Sequence, residues 1–282
     1  MGYENRQPPE GINVSDTNPV KEFATLAIGV GALVIATVFV LATVAGWLVS
    51  FVPFEYEQRL SQQMLQDILH NTGHERTPAT SRTEAYLQEL AERLAPAMDL
   101  PAEMQLTVHL VEDTNVVNAY ATLGGHLVFY RGLLETLPHE NALAMVMAHE
   151  IAHIKHRDPI TAMGRGITVA VTLTALFGLS DNSAVARWVG GIGTVTQLQF
   201  SRDQEHAADI AALDALEAYY GHVYGAEVLF EALQASHGPD HIPTMFSSHP
   251  ITAERIERVL ARHGNVMQPT TPLPPQLTET RQ

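Results

Sequence analysis

Between Glu22 and Glu55 the chain carries no charged residue, and its middle, Ala24-Thr25-Leu26-Ala27-Ile28 through Trp47-Leu48-Val49, is apolar almost throughout. A bilayer-spanning helix needs about 20 such residues, so the pattern predicts a transmembrane anchor over 23–54. Thr43-Val44-Ala45 resembles a cleavage site, but the core of a signal peptide runs only about 7–15 residues and this stretch continues past it, which favours an uncleaved anchor. Trp47, Phe51 and Phe54 suit the far interface. After the anchor the pattern changes to helical spacing. Leu60, Met64, Leu65 and Ile68 share a face over 57–71. Ser81-Arg82-Thr83-Glu84 has capping-box spacing and predicts a helix to about Ala97. Residues 106–111, 117–123 and 126–130 alternate as strands. Gly124-Gly125 joins the last two as a two-residue turn, so a small antiparallel sheet is expected. A long apolar helix then begins around Leu137-Pro138-His139-Glu140 and runs to about Arg157, where Asp158-Pro159 ends it.

These patterns divide the chain into an aperiodic tail over 1–22, the anchor over 23–54, a body over 55–264 large enough for one core, and a proline-rich disordered tail or extended tether over 265–282. The 282 residues include 16 Lys plus Arg against 31 Asp plus Glu, a formal charge of −15. That balance argues against nucleic acid as a partner, because phosphate binding needs a basic face. Cysteine is absent, which excludes disulfides, thiolate metal sites and thiol nucleophiles. Arg6 and Lys21 precede the anchor while Glu55 and Glu57 follow it, so the positive-inside rule places the N-terminus in the cytoplasm and the body on the outer, periplasmic or extracytoplasmic side.

The long apolar helix contains His149-Glu150-Ile151-Ala152-His153. Two histidines at i and i+4 project from one face and can reach one ion, with Glu150 beside them to take a proton from a metal-held water. Zinc suits imidazole and carboxylate ligands. A buried helix face carrying these groups needs a partner for them, and a metal supplies it. His156 lies a turn further along the same straight helix, so it cannot close round the same ion and reads as a helix-end histidine. Glu205 and Asp209 stand at i and i+4 in Ser201-Arg202-Asp203-Gln204-Glu205-His206-Ala207-Ala208-Asp209. One carboxylate can ligate and the other can orient a ligand imidazole.

The chain resembles the M48 family of zinc metallopeptidases over about 55–264. The resemblance rests on His149-Glu150-x-x-His153, on Glu205-x-x-x-Asp209 behind Ser201-Arg202, on Asn118-Ala119-Tyr120 leading to Gly124-Gly125 and Arg131-Gly132-Leu133-Leu134, and on Ser248-His249-Pro250 with Arg255. It implies an α+β, mainly α, zincin-like (gluzincin) domain holding one Zn2+ per chain. His149, His153 and Glu205 are the ligands it implies, Glu150 the general base, Asp209 an orienting carboxylate, and His249 the transition-state stabiliser supported by Arg255. It also implies that a polypeptide substrate binds as an added strand, met by Asn118 and Ala119.

The expected function is therefore zinc-dependent endopeptidase cleavage of misfolded or membrane-associated proteins by an activated water, from a chain held in the bilayer by residues 23–54. The alternative is a zinc-stabilised chaperone or scaffold that does not cleave. Gly166–Leu179 and Val185–Phe200 are apolar but short for spanning. Since His153 and Glu205 must share one side of the membrane, the chain between them crosses zero or two times. Zero is favoured, giving a single-pass protein with a three-pass arrangement as the alternative.

Overall fold

The computed structural model describes residues 18–71, 77–177, 200–228, 245, 249, 253–263 and 267–278. The first helix, α1 (Pro19–Val49), begins four residues earlier than the sequence pattern predicts, because Asn18 caps it by accepting from the Val20 and Lys21 amides. The predicted tail over 1–22 therefore ends in helix. The predicted anchor comprises α1, a turn and the start of α2 (Phe54–Asn71). On α2 the face against the body is Phe54, Glu57 and Ser61, while Leu60 is 41% exposed. Of the expected apolar face only Leu60 and Leu65 can be followed, since the side chains of Met64 and Ile68 lie outside the described residues; on the buried side Glu57 accepts from the Gly124 amide.

Helix α3 (Pro78–Leu94) starts at Thr77, whose hydroxyl accepts from the Thr80 amide, and a 3-10 turn over Ala95–Met98 follows it. The expected capping box at Ser81 does not form, because Glu84 is used at long range. Its carboxylate accepts from the Leu110 amide, and Gln88 accepts from the Val108 amide. Both amides belong to the outer edge of β1 (Thr107–Val111), so α3 side chains seal that edge.

The sheet has the order β1-β3-β2, with β2 (Ala119–Thr122) and β3 (His126–Tyr130) antiparallel. β1 pairs with β3 in parallel, Thr107 opposite His126 and Val111 opposite Tyr130. The sheet is therefore mixed and not wholly antiparallel as expected, since alternation along a strand does not encode its neighbour's direction. The β2–β3 turn is Leu123-Gly124-Gly125, with φ of 74° and 85° at the two glycines. That left-handed backbone is open to glycine without a Cβ penalty. Gly132, at the start of α4 (Arg131–Thr136), passes so close to the 114–116 backbone that a Cβ would lie 2.5 Å from the Thr114 carbonyl oxygen.

Helix α5 (Glu140–His156) is the centre of the body, and every residue from Glu140 to Ile154 is buried. It is apolar on all sides ahead of the histidines, as a helix packed all round must be. His139 caps its start, so Pro138 lies just outside it, and Arg157 at φ 60° stops it. Asp158-Pro159 then opens the next helix, α6 (Asp158–Phe177). Arg157 reaches back to the end of α1, donating to the Ser50 and Val52 carbonyls and to Glu57. From there α6 runs antiparallel to α1, with Gly164 against Val49 and Gly46 against Arg165. The apolar stretch after 177, including 185–199, lies outside the described residues.

Helix α7 (Arg202–Tyr220) packs along α5 and opens with a true capping box between Ser201 and Gln204. Helix α8 (Ala253–His263) lies against α7. The described part of the C-terminal tail, 267–278, is laid on the body and corrects the expectation of a disordered tail. The Glu140 amide donates to the Thr271 carbonyl at 2.8 Å, and the Thr271 amide donates to Asn141 Oδ1 at 2.8 Å. Leu277, in the short helix α9 (Pro275–Thr278), is buried in the core. Buried apolar side chains of this kind contribute about 1.5–3 kcal/mol each.

Candidate metal centre

The i,i+4 spacing on α5 places His149 and His153 with their Nε2 atoms 3.1 Å apart. Glu205, on the first turn of α7, brings Oε2 to 3.4 Å from His149 Nε2 and Oε1 to 3.5 Å from His153 Nε2. His249 is the fourth member, its Nδ1 being 3.3 Å from His149 Nε2 and 2.8 Å from Glu205 Oε1. All four residues are buried, and one ligand atom from each lies within 4.8 Å of the others.

This donor set fits a metal ion. Around a tetrahedral ion held at about 2.1 Å, donor atoms sit about 3.3 Å from one another. The separations among His149, His153 and Glu205 match that spacing, and those three residues would hold the ion. His249 stands closer to Glu205, at hydrogen-bonding distance. The far side of each imidazole is turned to a carboxylate. His153 Nδ1 is 2.8 Å from Asp158 Oδ2, and His149 Nδ1 is 3.2 Å from Asp209 Oδ1 at an oblique angle. A carboxylate can only accept, so each Nδ1 carries a proton, and with an ion bound each Nε2 would offer its lone pair inward.

Glu150 projects next to the cluster. Its Oε2 accepts from the Ala121 amide at 2.8 Å, while Oε1 lies 3.5 Å from His249 Nε2. Oε1 and His249 Nε2 are both buried and have no hydrogen-bond partner among the described residues. Arg255 donates to both oxygens of Asp209, at 2.8 and 2.7 Å, and lies 2.7 Å from Glu205 Oε2. Phe200 stacks on the His153 ring, centroids 4.1 Å apart.

The electrostatics follow from this crowding. Burial would lower the His149 pKa, but hydrogen bonds to Asp209 and Glu205 outweigh it and hold the ion-free imidazole at about 10. Burial would raise Asp209, but His149 and Arg255 hold it at about 2. Burial would likewise raise Glu205, and the three imidazoles hold it well below the usual carboxylate range.

The chain matches the model of peptidase family M48 over residues 81–263. It belongs to that family. Among the relatives this M48 chain resembles is the mitochondrial metalloendopeptidase OMA1 of Schizosaccharomyces pombe, 25% identical over 211 residues that cover 74% of this chain and 61% of the relative. Protease HtpX homologues of Burkholderia cenocepacia (strain HI2424) and Burkholderia multivorans are 33% and 32% identical over 175 residues, 47% of this chain and 59% of theirs. The chain thus spans about three fifths of the length of these relatives.

Of the site residues expected from the sequence, His149, Glu150, His153, Glu205, Asp209, His249 and Arg255 come together at this M48 centre. Asn118 and Ala119 lie at the start of β2. Asn118 is fully buried, and neither end of its side-chain amide has a partner among the described residues. The Met245 amide donates to the Val117 carbonyl beside it, and the His249 amide donates to the Met245 carbonyl at 2.8 Å. Ser248 and Pro250 lie outside the described residues. Three residues were not foreseen: Asp158 behind His153, Phe200 on its face, and Gln204, whose Nε2 donates to Asp158 Oδ1 at 2.5 Å. An acid directly after the break in the motif helix was the available signal for Asp158.

Proposed function

We propose that this chain is a membrane-anchored zinc endopeptidase. The observation that carries the reading is the position of Glu150 Oε1, a buried carboxylate oxygen with no hydrogen-bond partner among the described residues, beside three converging ligand groups. His149, His153 and Glu205 are the residues that hold the zinc. A bound zinc ion would supply Lewis acidity towards a water molecule and towards the scissile carbonyl.

The protein's own groups supply the rest. The Ala121 amide fixes Glu150 through Oε2, so that Oε1 is the atom that takes the proton from the attacking water. The same atom returns it to the leaving amine. His249 Nε2, protonated, donates to the oxyanion of the tetrahedral carbon. Arg255 holds Glu205 and Asp209 in place, and Asp209 orients His149.

Substrate binding is assigned to the β2 edge. The β1 edge is sealed by Glu84 and Gln88. On β2 the Ala121 amide turns away from β3 to Glu150, and Ala119, opposite Phe129 and two residues back, turns its amide the same way. A polypeptide laid there pairs through its main chain, which gives affinity without a strict sequence. Unfolded or membrane-associated polypeptides present such extended segments. Helix α1 has 31 residues, and an 18-residue window within it reaches a mean hydropathy of 2.5; its uncharged part, 23–49, is about 40 Å long, enough to cross a bilayer. The basic residues before it and the acidic ones after it support a body on the outer face.

The test is turnover of an unfolded protein by the full chain in lipid nanodiscs, with zinc, against its Glu150→Gln variant. The expected result is a loss of about 10²–10⁴-fold with zinc still bound. Equal rates would remove Glu150 from its role. Zinc binding without turnover in either protein would favour the non-cleaving scaffold.

A further inference from the structure

We propose that Asp158 is a positioning residue that sets two metal ligands at once, His153 directly and Glu205 through Gln204. The inference rests on the metal-centre reading above and deepens it. Asp158 is 4% exposed and follows the left-handed residue Arg157. That break is what makes the contact. On an unbroken helix, residue 158 would lie about 140° round from His153 and point elsewhere. With α5 stopped at Arg157 and α6 begun at Asp158, the carboxylate turns back to His153 Nδ1 at 2.8 Å and also stands at the N-terminus of a helix, where negative charge is favoured.

Each Asp158 oxygen takes a different donor. Oδ2 meets His153 Nδ1, and Oδ1 accepts from Gln204 Nε2. Gln204 cannot turn its amide round, because its Oε1 already accepts from the Ser201 amide, at 3.0 Å, in the capping box of α7. The Ser201 hydroxyl accepts from the Gln204 amide in return. Gln204 therefore has to present a donor to residue 158, and His153 also presents one. Only a group that accepts on both sides satisfies them, and Asp158 is that group. Because Glu205 is the next residue after Gln204, the bridge fixes the first turn of α7 against the end of α5, and so the Glu205 carboxylate against the two imidazoles.

This bridge predicts a specific exchange. Asp158→Asn can still accept from His153, but its amide then faces the Gln204 amide, donor against donor. Gln204→Glu keeps the capping box, since Glu serves there as well as Gln, but sets two carboxylates against each other. Combining the two restores one donor facing one acceptor, with His153 and Ser201 both served and the net charge unchanged.

The experiment measures zinc affinity by chelator competition on the full chain in nanodiscs for the unaltered protein, both single variants and the double variant, with His149→Ala as the control for the site. Thermal unfolding of each metal-free protein is followed alongside. Each single variant is expected to bind zinc about 10–100-fold more weakly. The double variant is expected to return to within about threefold of the unaltered chain, a coupling a double-mutant cycle isolates. A cobalt-loaded sample should show the same order in its visible d–d spectrum. If the single variants keep zinc affinity, or the double variant is as weak as either single, the bridge is overturned while the metal centre stands. If the single variants lose only metal-free thermal stability, Asp158 is a structural brace and the proposal also fails. If the unaltered chain and His149→Ala bind zinc alike, the metal-centre reading falls and takes this one with it.

Discussion

The two ends of α5 each bury a carboxylate cluster, and the clusters are put together in opposite ways. At the first residue, Glu140 is surrounded by donors. Tyr220 donates to Oε1 at 2.7 Å, Tyr86 donates to Oε2, and Arg93 lies 3.3 Å from Oε2. Around His149 and His153 the two Nε2 atoms and the Glu205 carboxylate converge on one point, and Glu150 Oε1 and His249 Nε2 have no partner among the described residues. One cluster is satisfied within the fold and acts as a brace. The other is completed only by something from outside. Burial and charge alone do not separate a brace from a site. The direction of the lone pairs does.

Substitutions can break this contrast. The largest effect belongs to the open cluster. His153→Ala should abolish zinc binding and turnover while the chain keeps its helical circular dichroism, and a variant that retains both would dissolve the distinction. Next comes Glu140→Ala, which strands two half-buried phenols and should cost about 3 kcal/mol by denaturant unfolding, with zinc affinity unchanged in the folded protein. A fall in affinity comparable with that of a ligand variant would mean that the two ends are one network. Tyr220→Phe removes one hydrogen bond to a charged acceptor and should cost about 2 kcal/mol.

The last test is in pH dependence, and it sharpens the comparison. In the metal-free protein His149 is held at about 10, above its ordinary value of 6.5. Its contribution to stability is complete below 6.5 and is lost as pH rises to about 10. At the other end, burial and Glu140 push Tyr86 and Tyr220 well above the ordinary value of 10.0. Their contribution declines only above that value, where the unfolded phenols ionise and the folded ones do not. Thermal unfolding of metal-free protein should therefore soften between pH 6.5 and 10, and zinc loading should remove that softening. Asp209 works in the acid range. With its pKa lowered to about 2 from 3.8, its contribution is present above 3.8 and lost as pH falls through 2.

The sequence was most legible where function fixes spacing. His149 and His153 at i,i+4, and Glu205 with Asp209 on a second helix, announce their geometry because each pair lies on a single regular element. The central position of α5 was legible from apolar residues that leave no polar face. What stayed hidden depends on partners far along the chain. Parallel pairing of β1 cannot be told from antiparallel by alternation. Glu84 looked like a local cap but serves the Leu110 amide. The prolines near the C-terminus looked like a free tether, yet Leu277 enters the core. Asp158 was read as the end of one helix, when its role depends on being the start of the next and on Gln204, 46 positions away.

The grip of Arg157 on the Ser50 and Val52 carbonyls, just past the end of α1, also fixes a height. His153 precedes Arg157 by one turn of helix, about 6 Å. With α1 seated in a bilayer, the centre cannot swing out into the surrounding fluid on a flexible stalk. It would be held like a blade on a fixed plane, working on chains that pass close to that plane.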